Sequence, residues 1–416
     1  RSIWVTGVQT CALPICLRGT PARVCADADW SPDKWSATLT TTELPLSTLT
    51  AGLTPSIEYR GLVNVVARGF GGATDPWQGS FRADLIDAQI LRRRPSGRED
   101  TITFGSGLVI ANATRESIDA QVTLDAREVG TINGELRARR TSGEWRQLPL
   151  RGELRARTEE LDILSLYIPQ IDRAAGKLAV NLALGGTLGT PLLSGLIRVN
   201  DGELDLYNVN LALRQMALEA RLLDNGLDFK GSARIGEGVA RAGGRIEWRD
   251  RQPFGRLQLT GQRLQVANIP EAVVYAEPDL DFKIEGRSIE VTGAVKIPEA
   301  RFVPVDLTNA VRASSDEIIV SRGEPESRQH FTVTTGITLT LGDRVSIETE
   351  GLSGRLTGSI TVRTGVEDIT RGSGELRIEE GEYTYYGRRL DIERGRLVFT
   401  GGPVQNPGIE IGRAHV

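Results

Sequence analysis

The chain is short of nearly every residue type that site chemistry uses: three cysteines, two histidines and one methionine in 416 residues, with aromatics at 5%. No apolar run approaches the roughly 20 residues that cross a bilayer as a helix. The shortage deepens at the ends, which read as having a separate origin. VTGVQTCALPI (Val5–Ile15) is what half of a common short-read sequencing adapter encodes, and IGRAHV (Ile411–Val416) is what the reverse complement of the same adapter encodes. Residues 1–16 and 411–416 are therefore expected to be adapter-derived, with natural sequence over about Leu17–Glu410, cut at both ends. A signal peptide with a lipid-modified Cys16 is the weaker reading, since a basic leading region, a start Met and a small residue before the cysteine are all missing. Cys25 and His330 are then single representatives of their types. That excludes a disulfide framework, a zinc centre and a Cys/His nucleophile pair.

Excess positive charge is also missing. Removing Arg1 and Arg413 from the 50 basic residues, against 54 acidic ones, gives a net charge of −6, which disfavours nucleic acid as a partner. The run Arg92-Arg93-Arg94 beside a Pro-Ser-Gly turn reads as a solvated loop. GGTLGTP (Gly185–Pro191) lacks the G-K-[ST] ending of a phosphate loop, and RGFGGATD (Arg68–Asp75) fails the calcium-binding nonapeptide spacing. No carboxylate pair is marked by aromatic platforms, as a glycosidase would require, and His330 reads as a polar strand-edge residue. The chain is expected to be no enzyme and to hold no metal or cofactor.

What the chain has in quantity is glycine, 47 residues of it, and strict alternation. In GKLAVNLALGG, Leu178, Val180, Leu182 and Leu184 point one way while Lys177, Ala179, Asn181 and Ala183 point the other, the period-two pattern of a strand with one apolar face. The pattern recurs at Phe282 and Ile284, Ile289 and Val291, Leu376 and Ile378, Leu390 and Ile392, and Leu397 and Phe399. NDG (Asn200–Gly202), DNG (Asp224–Gly226), EEG ending at Gly381 and ERG ending at Gly395 supply residues that tolerate positive φ, so antiparallel hairpins are expected at all four. One short amphipathic helix is expected over Glu159–Ile171, and a similar apolar segment, LPLSTLTAGL, begins at Leu44. Gly61, Gly71 and Pro76 each precede Gly176, Gly186 and Pro191 by 115 residues, so two copies of one unit are present. About 25 to 28 strands would follow, too many for an open sheet of ~10 to carry without curling.

Particular stretches resemble a family. GTLGTPLLSGLIRVNDGELDL, EPDLDFKIEG, EVTGAVKIPEARFVPVDL and GSGELRIEEGEYTYYGRRLDIERGRLVFTGGPVQNP resemble the C-terminal region of the TamB family of AsmA-like bridge proteins. The last stretch is the most specific, carried by Gly381, Tyr383, Tyr386, Gly387, Leu390, Ile392, Gly395, Leu397, Phe399, Gly401, Asn406 and Pro407. The resemblance implies an all-β, elongated, curled antiparallel sheet with a hydrophobic groove and one or two short amphipathic helices. It also implies a periplasmic location, anchored in the inner membrane and reaching the outer membrane, with phospholipid as cargo and a TamA-like outer-membrane barrel as partner in protein assembly. The inner-membrane anchor is expected to be absent from this fragment. AsmA-like repeats are expected over residues 17–160 and 161–300, and a truncated TamB-type C-terminal domain over 301–410.

On this reading the groove candidates are Leu178, Val180, Leu182, Phe282, Ile284, Ile289, Val291, Leu376, Ile378, Leu390, Ile392, Leu397 and Phe399. The alternatives are a secreted β-solenoid adhesin, in which these residues form a closed core, and a transmembrane barrel, against which the charged outer face and the lack of Trp after Trp248 both count.

Overall fold

Alternation forces each segment to offer one face to water and the other to its neighbours' apolar side chains, and the computed structural model of the chain is accordingly almost all strand. It describes residues 15–50, 57–74, 76–93, 99–126, 130–140, 144–159, 161, 171–206, 210–223, 225–250, 252–303, 332–349, 351–365, 369–385 and 388–415. Among these are 24 strands, one helix, α1 (Leu46–Thr50), and a 3-10 turn at Trp145–Gln147. The expected all-β class is observed, and α1 falls in LPLSTLTAGL. The other expected helix lies mostly outside the described residues, as do His330, Tyr386 and Gly387.

The chain divides into two compact units, Arg1–Gly202 with Glu219–Asp224, and Glu203–Leu218 with Asn225–Val416. The first holds β1 (Ile15–Arg18), β2 (Arg23–Trp30), β3 (Lys34–Pro45), β4 (Ile57–Gly72), β5 (Gln78–Arg93) and β6 (Glu99–Thr103). It continues through β7 (Ser106–Thr114), β8 (Ser117–Ala126), β9 (Gly130–Arg139), β10 (Leu150–Thr158) and β11 (Ile171–Gly186). β12 (Pro191–Leu206) and β13 (Leu211–Leu223) contribute to both units. The second unit continues with β14 (Gly226–Ile235), β15 (Gly238–Arg249), β16 (Gln252–Gln262), β17 (Leu264–Ile269), β18 (Ala272–Glu285) and β19 (Ser288–Phe302). It ends with β20 (Thr332–Glu348), β21 (Leu352–Thr364), β22 (Thr370–Tyr385), β23 (Arg388–Pro403) and β24 (Gly408–His415). Residues 15–16 and 411–415, which the codon reading assigns to adapter, thus occupy strand positions in β1 and β24.

Most strands pair antiparallel with the next, and two are interrupted. β7 runs along Gln78–Ile86 of β5 and β6 along Gln89–Arg93, so β6 and β7 make one rung broken at Phe104–Gly105. In the second unit β16 runs along Asp279–Glu285 of β18 and β17 along Ala272–Ala276, a second broken rung.

Beside the solvated-loop reading of the arginine run, of which Arg92 and Arg93 instead close β5 in register with Asp100 and Glu99 of β6, three expectations need correction. First, only DNG lies between strands, with Asn225 between β13 and β14; NDG, EEG and ERG lie inside β12, β22 and β23. Asp201 and Glu380 do take positive φ, 51° and 53°, but as bulges within continuing strands. The residue chemistry that permits a hairpin permits a bulge equally, and only the continued pairing on both sides tells them apart. Second, the sheet is not wholly antiparallel: β19 and β20 pair in parallel from Ser288↔Thr332 to Phe302↔Ile347. Third, Cys25 does not stand alone. The β1–β2 register sets Cys16 opposite Cys25, and the two form a disulfide.

The bulges line up. In the first unit, β3–β4 shift register at Glu43 (φ 52°), β4–β5 at Gly61 (φ 117°) opposite Asp87 (φ 48°), and the next rung breaks at Phe104–Gly105. Backbone groups released by the shift find other partners: the Glu43 amide donates to Asn64 Oδ1 at 2.7 Å and the Val65 amide to Thr41 Oγ1 at 2.9 Å. In the second unit, shifts fall at Ala276 on β18, Pro298 on β19, between Leu341 and Ser346 on β20, at Gly354 on β21 and near Glu380 on β22. Each line of bulges is a crease across successive strands, and a bulge sharpens bend and twist where it sits. Buried side chains gather there. Ala300, Val345 and Leu356 form one core cluster, packed by Ile297, Leu341 and Ile378, and Val63, Ala88 and Ile102 are buried along the first crease.

The 115-residue repeat has a structural meaning at the crease. β4 and β11 are both 16 residues long, as are β5 and β12. Gly61 lies against Ala88, next to Asp87, and Gly176 (φ 132°) lies against Gly202, next to Asp201. Each copy therefore contributes one glycine–aspartate bulge pair.

The other face of the sheet is charged. Carboxylates and guanidinium groups two residues apart on one strand pair repeatedly, as in Arg155–Glu153 (2.7 Å), Arg137–Glu135 (3.2 Å) and Arg377–Glu375 (2.8 Å). The hydrogen bond from Arg377 holds the Glu375 carboxyl below its ordinary pKa, and those from Arg249 and Arg245 do the same for Glu247. A depressed folded pKa means that the stabilisation is complete above the usual carboxylate value of about 4.3 and is lost as pH falls through the lower folded value. Thermal scans of Glu375→Gln and wild type should therefore differ slightly at neutral pH and converge in acid. Convergence at alkaline pH instead would refute the assignment.

Candidate functional site

Strand registers settle which residues share the apolar face. Leu182, Val180 and Leu178 on β11 stand opposite Leu154, Ala156 and Thr158 on β10. Phe282 and Ile284 on β18 stand opposite Val291 and Ile289 on β19. Leu376 pairs with Leu397, Leu390 with Tyr383, and Phe399 with Gly374. Of the thirteen groove candidates, twelve are half-buried and only Val291, at 8% exposure, is buried. A closed core would have hidden most of them.

The family-type motif has a packing explanation. RIEEG (Arg377–Gly381) and DIERG (Asp391–Gly395) are two copies of one pattern, and the antiparallel register puts Ile378 opposite Gly395 and Ile392 opposite Gly381. Each isoleucine covers the other strand's glycine: a Cβ on Gly381 would lie 3.0 Å from Ile392 Cβ, and one on Gly395 would lie 3.0 Å from Ile378 Cβ. A side chain at either glycine would push these isoleucines out of place at the crease. Asn406 closes the β23–β24 turn, its amide donating to the Pro403 carbonyl at 3.0 Å, while Gly401 takes φ 94°.

In the first unit the apolar face forms an open hollow of about 270 Å³ across β7 to β12. Its apolar lining includes Val109, Val122, Leu136, Leu154, Leu182, Leu184 and Leu193, and none of these seven side chains is buried. Leu193 is 43% exposed although it stands among other leucines. Only Leu182 of these was singled out as a groove candidate from the sequence. Val109, Val122, Leu136, Leu154 and Leu193 were missed because glycines such as Gly134 and Gly152 occupy apolar-face positions and dilute the alternation that marks β11.

Among the described residues no group of His, Cys, Asp and Glu is placed to hold a metal, and no helix is long and apolar enough to cross a membrane. The remaining candidate for function is the uncovered apolar face itself.

Comparison with known proteins agrees with that geometry. Residues 9–199 match the model of the TamB N-terminal domain, and residues 230–412 match that of the TamB C-terminal domain. A translocation and assembly module subunit TamB from Haemophilus influenzae is 20% identical over 270 residues, covering 62% of this chain. The chain spans about a fifth of that relative's length, 21%. Two domain models of one family, matched one after the other along the chain, leave one assignment: the chain belongs to the TamB family.

Proposed function

We propose that this chain is a segment of a periplasmic bridge that carries phospholipid between the inner and outer membranes along its apolar face. On this reading it serves outer-membrane protein assembly with a TamA-type barrel, is anchored in the inner membrane by a segment outside this fragment, and performs no catalysis. The translocation and assembly role rests on family membership and on the relative's name. AsmA-like repeats would occupy residues 17–160 and 161–300, and the TamB-type C-terminal domain residues 301–410.

The observation that supports lipid as cargo is the open hollow, a continuous row of half-exposed aliphatic side chains across six strands with charged side chains on the reverse face. Moving a two-chain lipid through water exposes about 30 methylenes at ~0.8 kcal/mol each, on the order of 25 kcal/mol. An uncovered face divides that barrier into small steps, whereas a closed core could not admit a chain.

A photo-crosslinking residue at Val180 should capture phospholipid in cells, and the same probe at Asn181 should not, because adjacent strand positions face opposite ways. Equal capture at the two positions would return these residues to ordinary surface and core.

A further inference from the structure

Four tryptophans of the first unit stand at one end of the strands on the apolar face. Trp30 and Trp35 are a cross-strand pair at the tip of the β2–β3 hairpin. The Trp35 ring lies over the bare backbone of β4, where a Cβ on Gly69 would come within 3.3 Å of it. Trp77, next to Gly71 at the start of β5, meets Trp145 with ring centroids 5.7 Å apart. Trp145 itself packs on the core cluster of Ala138, Leu148 and Leu150, and so belongs to the same face. Trp30 is 74% exposed, Trp35 39% and Trp77 36%. Below this row come Ala37, Gly69, Gly79 and Ala113, then Leu39, Ala67, Phe81 and Ala111, then Thr41, Val65, Ala83 and Val109. The face is therefore graded, with indoles at the lip and, among the described residues below them, small and apolar side chains that lack an indole.

Indole has an apolar body and one N–H donor, and it settles where hydrocarbon meets polar headgroups. The lip carries charge of both signs. Asp33 and Lys34 stand at the first turn, Arg115 and Glu116 form the second with Arg140 beside them, and Glu144 and Arg146 bracket Trp145, all seven exposed. A lip of one sign would select a headgroup of the other; mixed signs suit a headgroup that carries both.

We propose that this tryptophan lip seats the glycerol and headgroup end of a zwitterionic phospholipid while the acyl chains lie on the apolar face below it, fixing the lipid's orientation across the strands. The proposal rests on the lipid-carrying reading above and adds a side and a headgroup class to it.

The test keeps all four lip tryptophans and changes only Trp4 and Trp248 to Phe, so that the lip carries all the indole fluorescence. The protein is loaded with phosphatidylcholine brominated either near the glycerol or near the chain ends, and bound lipid is measured by co-elution. Lip fluorescence should be quenched at least about twofold more by the glycerol-proximal bromines. Bound lipid with equal quenching, or with more from the terminal bromines, would overturn the lip while leaving lipid binding intact, and no bound lipid would overturn the lipid reading itself. Phosphatidylglycerol should displace the brominated lipid less well than phosphatidylcholine, and the reverse order would overturn the zwitterionic assignment.

Discussion

Leu182→Asp is expected to abolish lipid loading of the first unit while leaving it folded. Leu182 is half-buried in the open hollow, so a carboxylate there can stay hydrated in the empty protein. The loss of part of one leucine's burial costs about 1 kcal/mol, a shift of a few degrees in melting temperature. Once an acyl chain covers the position, the charge must be stripped of water against hydrocarbon at about 3 kcal/mol, roughly a hundred-fold in affinity. Leu148→Asp is the contrast. Leu148 is 1% exposed, within the cluster of Ala138 and Leu150, so its carboxylate has no water in either state and should cost several kcal/mol of stability outright. Lipid co-purification measured beside thermal melts separates the two. If Leu182→Asp unfolds the unit as Leu148→Asp does, the hollow is a closed core and no lipid path exists.

Gly176→Val should be strongly damaging although the position lies outside the core clusters. Two costs combine: φ of 132° is a conformation that β-branched residues avoid, at about 1–3 kcal/mol, and the new Cβ would stand 2.7 Å from the Gly202 Cα on β12. Backbone cannot swing aside as a side-chain tip can, so the strands must part at the crease. A fall of about 3 kcal/mol or more in unfolding free energy is expected from denaturant titration. Gly185→Ala, nine residues along where nothing lies within 4 Å, should fall within about 0.5 kcal/mol of wild type. Equal effects at the two glycines would mean that the bulge pair does not hold the crease, and that the 115-residue repeat has some other cause.

Particular stretches show how far local pattern reaches. Phe282 and Ile284, Ile289 and Val291, and Leu376 and Leu397 were legible because side-chain period in a strand is two whatever the strand pairs with, and their register partners share the expected face. The repeat was legible because its glycines and prolines mark backbone states, which are properties of single residues. NDG, EEG and ERG misled for the same reason: positive φ is local, whereas the difference between a bulge and a hairpin depends on whether pairing continues beyond it. The parallel β19–β20 ladder carries no local mark at all, since alternation looks the same in either direction.

By itself, then, the sequence determined that the chain is all-β, that one face is apolar and the other charged, and that a unit recurs. These follow from side-chain alternation and from backbone states that single residues impose. Only the tertiary structure decided that bulges align into creases, that the apolar face in the first unit stays uncovered, and that Trp30, Trp35, Trp77 and Trp145, up to 115 positions apart in the chain, share one lip. Those features are relations between strands, set by register and by where each ladder slips a residue. No window of neighbouring residues contains them.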